Sequence, residues 1–389
     1  MANFKFNSIS YDKIKESIQW KYMIEAIDSP IDCNLLVYWL PWAWKSTIAA
    51  HRLDKFNRQN KKVIYLTYWK LLSEFLKQWI DDISAKVKFN SFWKWFYEIR
   101  KKLNLNYIKI ENIKSEDVKE TFSKYLEKYG KFDVIIIDEW QDILQYIYEH
   151  IWILSNHISI FADDAQQIIV RTWENKMTEI IKWYLNTETY QLTLNRRNPK
   201  SLYEFALQLN PKNVEKWDIK LMENKPEPVI FYDCCDKQTE LVQILKIIDD
   251  NKSKNIAILF SQIEQISLFE TDLKSENFYD YTLYNSENNF NINNLKSPLI
   301  TTFKSVKWLE VDIVIIPNLY PSIEYKYLDN NQLFVAFTRA KEKLIITHHS
   351  WWSQIEKILS KFDPNTYSSY KIWNDSWNKK EISIEDIEF

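Results

Sequence analysis

Short apolar runs recur along this chain, and between them lie stretches whose apolar residues return at helical spacing. The runs Asn34–Tyr38, Lys62–Thr67, Phe132–Ile137, Ser159–Ala162, Ile256–Phe260, Leu299–Thr302, Ile313–Ile316 and Leu344–Thr347 predict strands. Ser46–Asn57 and Leu71–Lys77 predict helices. Strands alternating with amphipathic segments imply an α/β fold with parallel sheets. The first half supplies one sheet and a second builds from about residue 228, with a joint near Thr187–Gln191. The predicted organisation is a first domain over 1–190, a second over 191–365, and a polar tail over 366–389. The Asn/Ser-rich segment Asn285–Ser297 reads as a loop, and the chain after Asp363 as loosely ordered.

A length of 389 residues fits two domains, and a hydrophobic fraction of 46% is ample for two cores. Lys+Arg 51 against Asp+Glu 53 does not announce a nucleic-acid binder, yet a groove can be locally basic. Cys33, Cys234 and Cys235 lack metal-ligand spacing, and the adjacent pair suits no disulfide, so a reducing cytoplasm is expected. No basic-then-apolar leader opens the sequence and no apolar run reaches membrane-spanning length, so neither a signal peptide nor a membrane partner is expected.

The composition holds one larger anomaly. There is one glycine, Gly130, and there are 18 tryptophans. About 7% glycine is usual, which would give roughly 27. Glycine is the residue that makes positive-φ turns and lets backbone approach a ligand. Residues 39–47 read Trp-Leu-Pro-Trp-Ala-Trp-Lys-Ser-Thr. With glycine at Trp39, Trp42 and Trp44 this is a phosphate-binding loop of the G-x-x-x-x-G-K-[ST] form. Two readings follow: the tryptophans are genuine and the loop is dead, or UGA codons meaning glycine have been read as tryptophan. The Lys, Asn and Ile richness fits an AT-rich gene in which UGA is favoured. Tryptophans falling where a nucleotide motif needs glycine, Trp308 included, favour the second reading, although Trp95 in its aromatic setting suits a genuine indole.

In such a loop, backbone N–H groups of Trp39, Pro41, Trp42, Ala43, Trp44, Lys45, Ser46 and Thr47, proline excepted, surround phosphate oxygens at a helix N-terminus. Lys45 would reach the β/γ-phosphates and Ser46 would ligate Mg²⁺. Val134–Ile137 followed by Asp138 and Glu139 is an apolar strand ending in two acids. Mg-ATP hydrolysis needs such a pair: Asp138 for the metal, Glu139 as general base on water.

The segment Asp138-Glu139-Trp140-Gln141-Asp142 resembles the D-E-x-Q-D signature of superfamily 1 DNA helicases of the UvrD/Rep/PcrA type. The likeness continues in order over roughly residues 35 to 347. Phe161–Gln167 is similar to motif III and gives the γ-phosphate-sensing role to Gln166. Trp173 falls where the family commonly has glycine. Leu194–Asn198 resembles motif IV and implies a γ-phosphate arginine at Arg197, with Arg196 in the place of the adenine-stacking tyrosine. Thr302–Glu310 resembles motif V. Val335–Leu344 resembles motif VI and implies the second arginine finger at Arg339. Gln19 stands where the family has an adenine-reading glutamine.

The resemblance implies two RecA-like P-loop NTPase domains, ATP and Mg²⁺ as cofactors, and an ATP-dependent helicase or translocase. Movement is implied to be 3′→5′ on single-stranded DNA, or on a duplex with a single-stranded tail, in repair or recombination; RNA is the weaker option. Arginines from the second domain would make hydrolysis depend on domain closure. DNA contacts are implied at Thr67, Tyr68, Lys70, Phe92, Lys94, Thr302, Lys304 and Ser305, with Tyr68 and Phe92 as stacking platforms. The chain departs from the family at Arg196, at Arg171 in the place of the motif III aromatic, and in its short interval from motif IV to motif V. Translocation is therefore the safer expectation than unwinding. The alternatives are a catalytically dead nucleic-acid-binding relic and an ATPase that remodels complexes without unwinding.

Overall fold

The computed structural model describes residues 21–38, 45–68, 88–163, 177–191, 194–209, 220–222, 228–284, 295–307, 309, 311–317, 330–349 and 362–372. The chain divides between Leu194 and Asn195 into two compact units, each α/β with a parallel sheet.

The N-terminal unit holds strands β1 (Asn34–Tyr38), β2 (Val63–Thr67), β3 (Lys88–Ser91), β4 (Phe132–Asp138), β5 (Ser155–Ala162) and β6 (Thr187–Gln191), in the order β3-β2-β4-β5-β1-β6. Every pairing is parallel, and the register aligns Thr67 with Asp138, Asp138 with Phe161, and Tyr38 with Ala162. Strand C-termini therefore end together along one edge, where ligands bind in open α/β sheets.

Helices α1 (Lys21–Asp28) and α2 (Lys45–Arg58) pack together, α2 lying against β2, β4 and β5. Helices α3 (Phe92–Lys102), α4 (Ser115–Tyr129), α5 (Gln145–Ile151) and α6 (Met177–Leu185) build the main apolar core. It joins Ile64, Leu66, Ile135, Ile137, Ile158 and Ile160 of the strands to Phe92, Phe96, Phe122, Ile147 and Ile181. Alternate strand residues serve the two faces because side chains have period two. The α2 side also holds a buried polar network. There the buried Arg52 donates to the carbonyls of Ala26, Ile27 and Ser29, to Ser159 Oγ, and lies 3.1 Å from His157 Nε2. It satisfies carbonyls at the C-terminus of α1, where a cation is favourable.

The C-terminal unit holds a small β7 (Leu194–Pro199)–β8 (Lys220–Met222) pair and a seven-stranded parallel sheet. The latter comprises β9 (Val229–Cys234), β10 (Ile256–Phe260), β11 (Thr282–Leu283), β12 (Leu299–Thr302), β13 (Val311–Ile316), β14 (Ala340–His349) and β15 (Ser368–Ile372), ordered β11-β12-β10-β13-β14-β9-β15. Helices α8 (Lys237–Asp250) and α9 (Ile263–Ser275) pack Ile244, Ile248, Phe269 and Leu273 onto Ile258, Ile300 and Ile315. Helices α7 (Lys200–Leu207) and α10 (Asn330–Phe337) contribute Phe205 and Phe337 to a second aromatic cluster, with Phe362 stacked on Phe205 at 4.2 Å.

All eight predicted strands begin and end within four residues of the observed ones, Leu344–Thr347 lying inside the longer β14. Leu71–Lys77 lies outside the described residues, as does most of Asn285–Ser297. Thr187–Gln191, near which the sequence predicts the joint, is an edge strand paired with β1, and the division falls just after it. One expectation needs correction. From Pro364 to Ile372 the chain is not loose: β15 pairs in parallel with β9, and a short helical turn at Pro364–Thr366 is anchored by Gln208.

The scarcity of glycine is met by asparagine. Positive φ occurs at Asn60, Asn104, Asn186, Asn277, Glu139 and Gly130 among the described residues, and at no tryptophan. Asn60, Asn104 and Asn277 each follow a helix with the paired hydrogen bonds of a Schellman cap; Phe278 N–H to Leu273 O and Asn277 N–H to Lys274 O form one. Asparagine tolerates the left-handed region better than other non-glycine residues.

Candidate nucleotide site

The two acids and the first turn of α2 meet at the C-terminal edge of the first sheet. Lys45 and Ser46 open α2, while Asp138 ends β4. Ser46 Oγ donates to Asp138 Oδ2 at 2.6 Å, and Tyr65 OH donates to the same oxygen at 2.8 Å. The Glu139 N–H donates to Asp138 Oδ1 at 3.0 Å. Lys45 Nζ pairs with Asp163 Oδ2 at 2.9 Å, both side chains being buried. Asp163 directly follows β5, beside β4 in the sheet.

Gln141 joins the acids. Its Nε2 donates to Glu139 Oε2 at 2.7 Å and its Oε1 accepts the Asp163 N–H at 3.0 Å. Glu139 itself is held at φ 56°, ψ 41°. A non-glycine residue there carries local strain, a condition found at sites where surrounding contacts over-determine the backbone. The next residue, Trp140, is fully buried against Phe92 and Tyr148, and its carbonyl accepts the Tyr148 hydroxyl at 2.7 Å.

Burial dominates the electrostatics. It pushes the Asp138 carboxyl up to about 6, helped by the neighbouring Glu139 charge and opposed by the donors Ser46 and Tyr65 and by Lys45. Burial likewise raises the Tyr65 phenol well above its ordinary value, with Asp138 adding to it, so this group stays a donor.

The donor set suits a hard cation. Ser46 Oγ and the Asp138 carboxylate offer oxygen ligands side by side. Mg²⁺ is ordinarily bound by one or two carboxylates together with substrate phosphates and water. No cluster of three or more His, Cys, Asp or Glu suited to a metal occurs among the described residues.

In the C-terminal unit the segments singled out by sequence also draw together. Arg339 donates through Nε to Val335 O and through Nη1 to Lys307 O, and is buried. Asn198 Nδ2 donates to the carbonyls of Thr338 and Ala340 at 3.1 and 2.7 Å. Thr302 and Ser305 close a turn after β12, with Ser305 N–H donating to Thr302 Oγ1 at 3.2 Å, and Lys304 beside them is exposed.

Trp39, Pro41, Trp42, Ala43, Trp44, Gln19, Lys70, Gln166, Trp173 and Trp308 lie outside the described residues, and the side chains of Arg196 and Arg197 in β7 are likewise not described. Thr47 is buried in α2. Phe92 requires a correction: it is fully buried among Trp95, Phe96 and Trp140, so its ring belongs to the core and is closed to a base. Thr67 is also fully buried, whereas Tyr68 is half-buried and Lys94 exposed. Sequence reasoning gave no role to Gln141, Asp163 or Tyr65. The first two lie inside motifs already singled out. Tyr65 carries no local signal except a phenol in an otherwise apolar strand.

No family model matches the chain, and no curated protein matches it. Among solved structures, the C-terminal domain of a possible DNA helicase from Lactobacillus plantarum WCFS1 is similar at 16% identity with a TM-score of 0.34. That likeness spans 44% of this chain and 97% of the other. At that score it adds nothing to the reading of the site. No helix among the described residues is long and apolar enough to cross a membrane.

Proposed function

We propose that the chain hydrolyses Mg-ATP and couples turnover to movement along single-stranded DNA, as a compact helicase or translocase. The observation that carries the nucleotide part is Ser46 Oγ on Asp138 Oδ2 at 2.6 Å, with Lys45 in the same helical turn and Glu139 next in sequence. Lys45 would leave Asp163 and take up phosphate oxygens, while Ser46 and Asp138 would hold the cation. Bound Mg²⁺ would neutralise charge developing on the transferred phosphoryl group. Glu139, oriented by Gln141, would accept the proton of the attacking water. Because Gln141 also accepts the Asp163 N–H, the general base and the partner of Lys45 share one hydrogen-bonded unit.

The DNA part rests on the order of sequence motifs, with Lys94 and Lys304 as exposed cations. Gln166, Arg196, Arg197 and Arg339 complete the proposed set as phosphate and adenine contacts, and 3′→5′ polarity and a role in repair or recombination belong to the same proposal. Indoles at 39, 42 and 44 would favour the second reading, a nucleic-acid-binding relic without turnover.

The test is nucleotide hydrolysis with and without single-stranded DNA in wild type, Lys45→Met and Glu139→Gln. Wild type should turn over ATP faster with DNA, Lys45→Met should not, and Glu139→Gln should bind ATP with turnover reduced at least about a hundredfold. Undiminished turnover in Lys45→Met would remove the assignment. Methionine is chosen because Lys45 is buried and ion-paired. Either substitution leaves Asp163 without that cation, but methionine keeps most of the side-chain volume, whereas Lys45→Ala would add a cavity, so an unperturbed fold is not expected of the alanine variant.

A further inference from the structure

We propose that Tyr65 is a positioning residue for the cation site, its phenol holding Asp138 Oδ2 in the orientation from which Asp138 and Ser46 receive a divalent cation; this rests on the nucleotide-site reading above.

Tyr65 sits in the middle of β2, fully buried, in the run Val63-Ile64-Tyr65-Leu66-Thr67. A phenylalanine would fill the same space, so the hydroxyl is what distinguishes this residue. The register explains its reach. Tyr65 pairs with Ile136, and Asp138 stands two residues further along β4 on the same face. That is a step of about 7 Å along the strand, within the span of a long aromatic side chain on a diagonal neighbour.

Three donors from three elements then fix one carboxylate. Ser46 Oγ comes from α2, Tyr65 OH from β2, and the Glu139 N–H from the turn after β4. Ser46 and Tyr65 share Oδ2, but they are not equivalent toward a cation. Ser46 would offer a lone pair to the metal while its proton can still serve Oδ2. Tyr65 is the donor fixed by the sheet itself, through the register of β2 on β4, so it would keep Asp138 aimed however the metal draws on Ser46. Hydrogen bonds of this outer kind fix ligand orientation, and their loss typically weakens metal binding by about 10- to 100-fold.

The experiment is Mn²⁺ titration by electron paramagnetic resonance in the presence of ADP, on wild type, Tyr65→Phe and Ile136→Val. Tyr65→Phe should bind Mn²⁺ about tenfold or more weakly. The Mg²⁺ concentration for half-maximal hydrolysis should rise by a similar factor, with kcat recovered at saturating Mg²⁺. Ile136→Val disturbs packing on the same face without touching Asp138 and should leave Mn²⁺ affinity unchanged. Equal Mn²⁺ affinity in wild type and Tyr65→Phe would overturn the inference while leaving the nucleotide site standing. Equal weakening in Ile136→Val would overturn it too, since the effect would then be packing. Absence of both Mn²⁺–ADP binding and hydrolysis in wild type would remove the nucleotide site itself, and the inference with it.

Discussion

Asp138→Asn should make the N-terminal unit more stable at neutral pH relative to acid, while ending the proposed ATP turnover. The Asp138 carboxyl stands at about 6 in the fold, against an ordinary 3.8, chiefly because it is buried. A group raised on folding contributes stability that is complete below its unfolded pKa and lost as pH rises through the folded one. The window is therefore about 3.8 to 6. Two pKa units at 1.36 kcal/mol each put the cost of holding the ionised carboxylate at neutral pH at about 3 kcal/mol. Asparagine does not ionise and escapes that cost. It brings a cost of its own: its amide N–H₂ must face either the Glu139 N–H or the two hydroxyls, and an opposed buried donor costs about 1–3 kcal/mol.

The two effects separate by pH. Near pH 4 only the opposed-donor cost operates, so Asp138→Asn should be the less stable protein. By about pH 7 the difference should have moved by about 2–3 kcal/mol in favour of the variant. The assay is urea unfolding by circular dichroism at both pH values, with the N-terminal transition identified by hydrogen exchange in β4 peptides. Comparing the two proteins cancels the titrations that do not interact with Asp138, including that of His157. A difference that is the same at both pH values would refute the reasoning, because the penalty would not then come from ionisation.

The remaining predictions concern the scaffold. His157 is pushed down to about 4, first by burial and then by the adjacent Arg52 charge. Its neutral form is the folded one, so stability is complete above about 6.5 and falls toward pH 4, by about 3 kcal/mol. In the Asp138→Asn background this opposite slope should emerge, and His157→Gln should remove it; a slope that survives that substitution would clear His157. At the end of α9, Asn277→Ala should cost about 1 kcal/mol and Asn277→Gly should be neutral or slightly stabilising, because φ there is 56°. Equal melting temperatures for the two variants would show that the left-handed cap is not what asparagine supplies.

How far the sequence discloses all this depends on the range of each interaction. The central strands, β9 excepted, are visible because continuous apolar runs are a local signal, and β1, β10 and β12 begin and end where the runs do. The edge strands escape. Thr187–Gln191 is polar and Ser368–Ile372 is half-exposed, and both become strands only because β1 and β9 offer open edges. In the site, Lys45, Ser46, Asp138 and Glu139 are legible because each lies in a compact motif. Tyr65 is not, because its role exists only through the register of β2 on β4. The family resemblance implies a base contact at Phe92, with core packing the equal alternative. Its position on the inner face of α3, with Phe96, decides for the core.

The same distinction bears on the tryptophans. A fold needs glycine for two different reasons, and only one has a substitute. Where the demand is a positive φ at a helix end, asparagine meets it at 60, 104 and 277, so one glycine suffices for the described turns. Where the demand is backbone N–H groups closing around a phosphate, no side chain can replace the missing one, because any Cβ occupies the space the oxygens need. Positions 39, 42 and 44 are of the second kind, and they directly precede Lys45 and Ser46, whose partners are already in place at Asp163 and Asp138. Side chains assembled for the proposed phosphate chemistry, beside a sequence in which indoles replace the needed glycines, are a contradiction that selection has no reason to maintain. Peptide mass spectrometry of Val37–Lys45 from the native cell should therefore give glycine at all three positions. Tryptophan at 39 or 44, the two glycine positions of the motif, would leave Lys45, Ser46, Asp138 and Glu139 without a phosphate to act on and would move the chain to the relic reading.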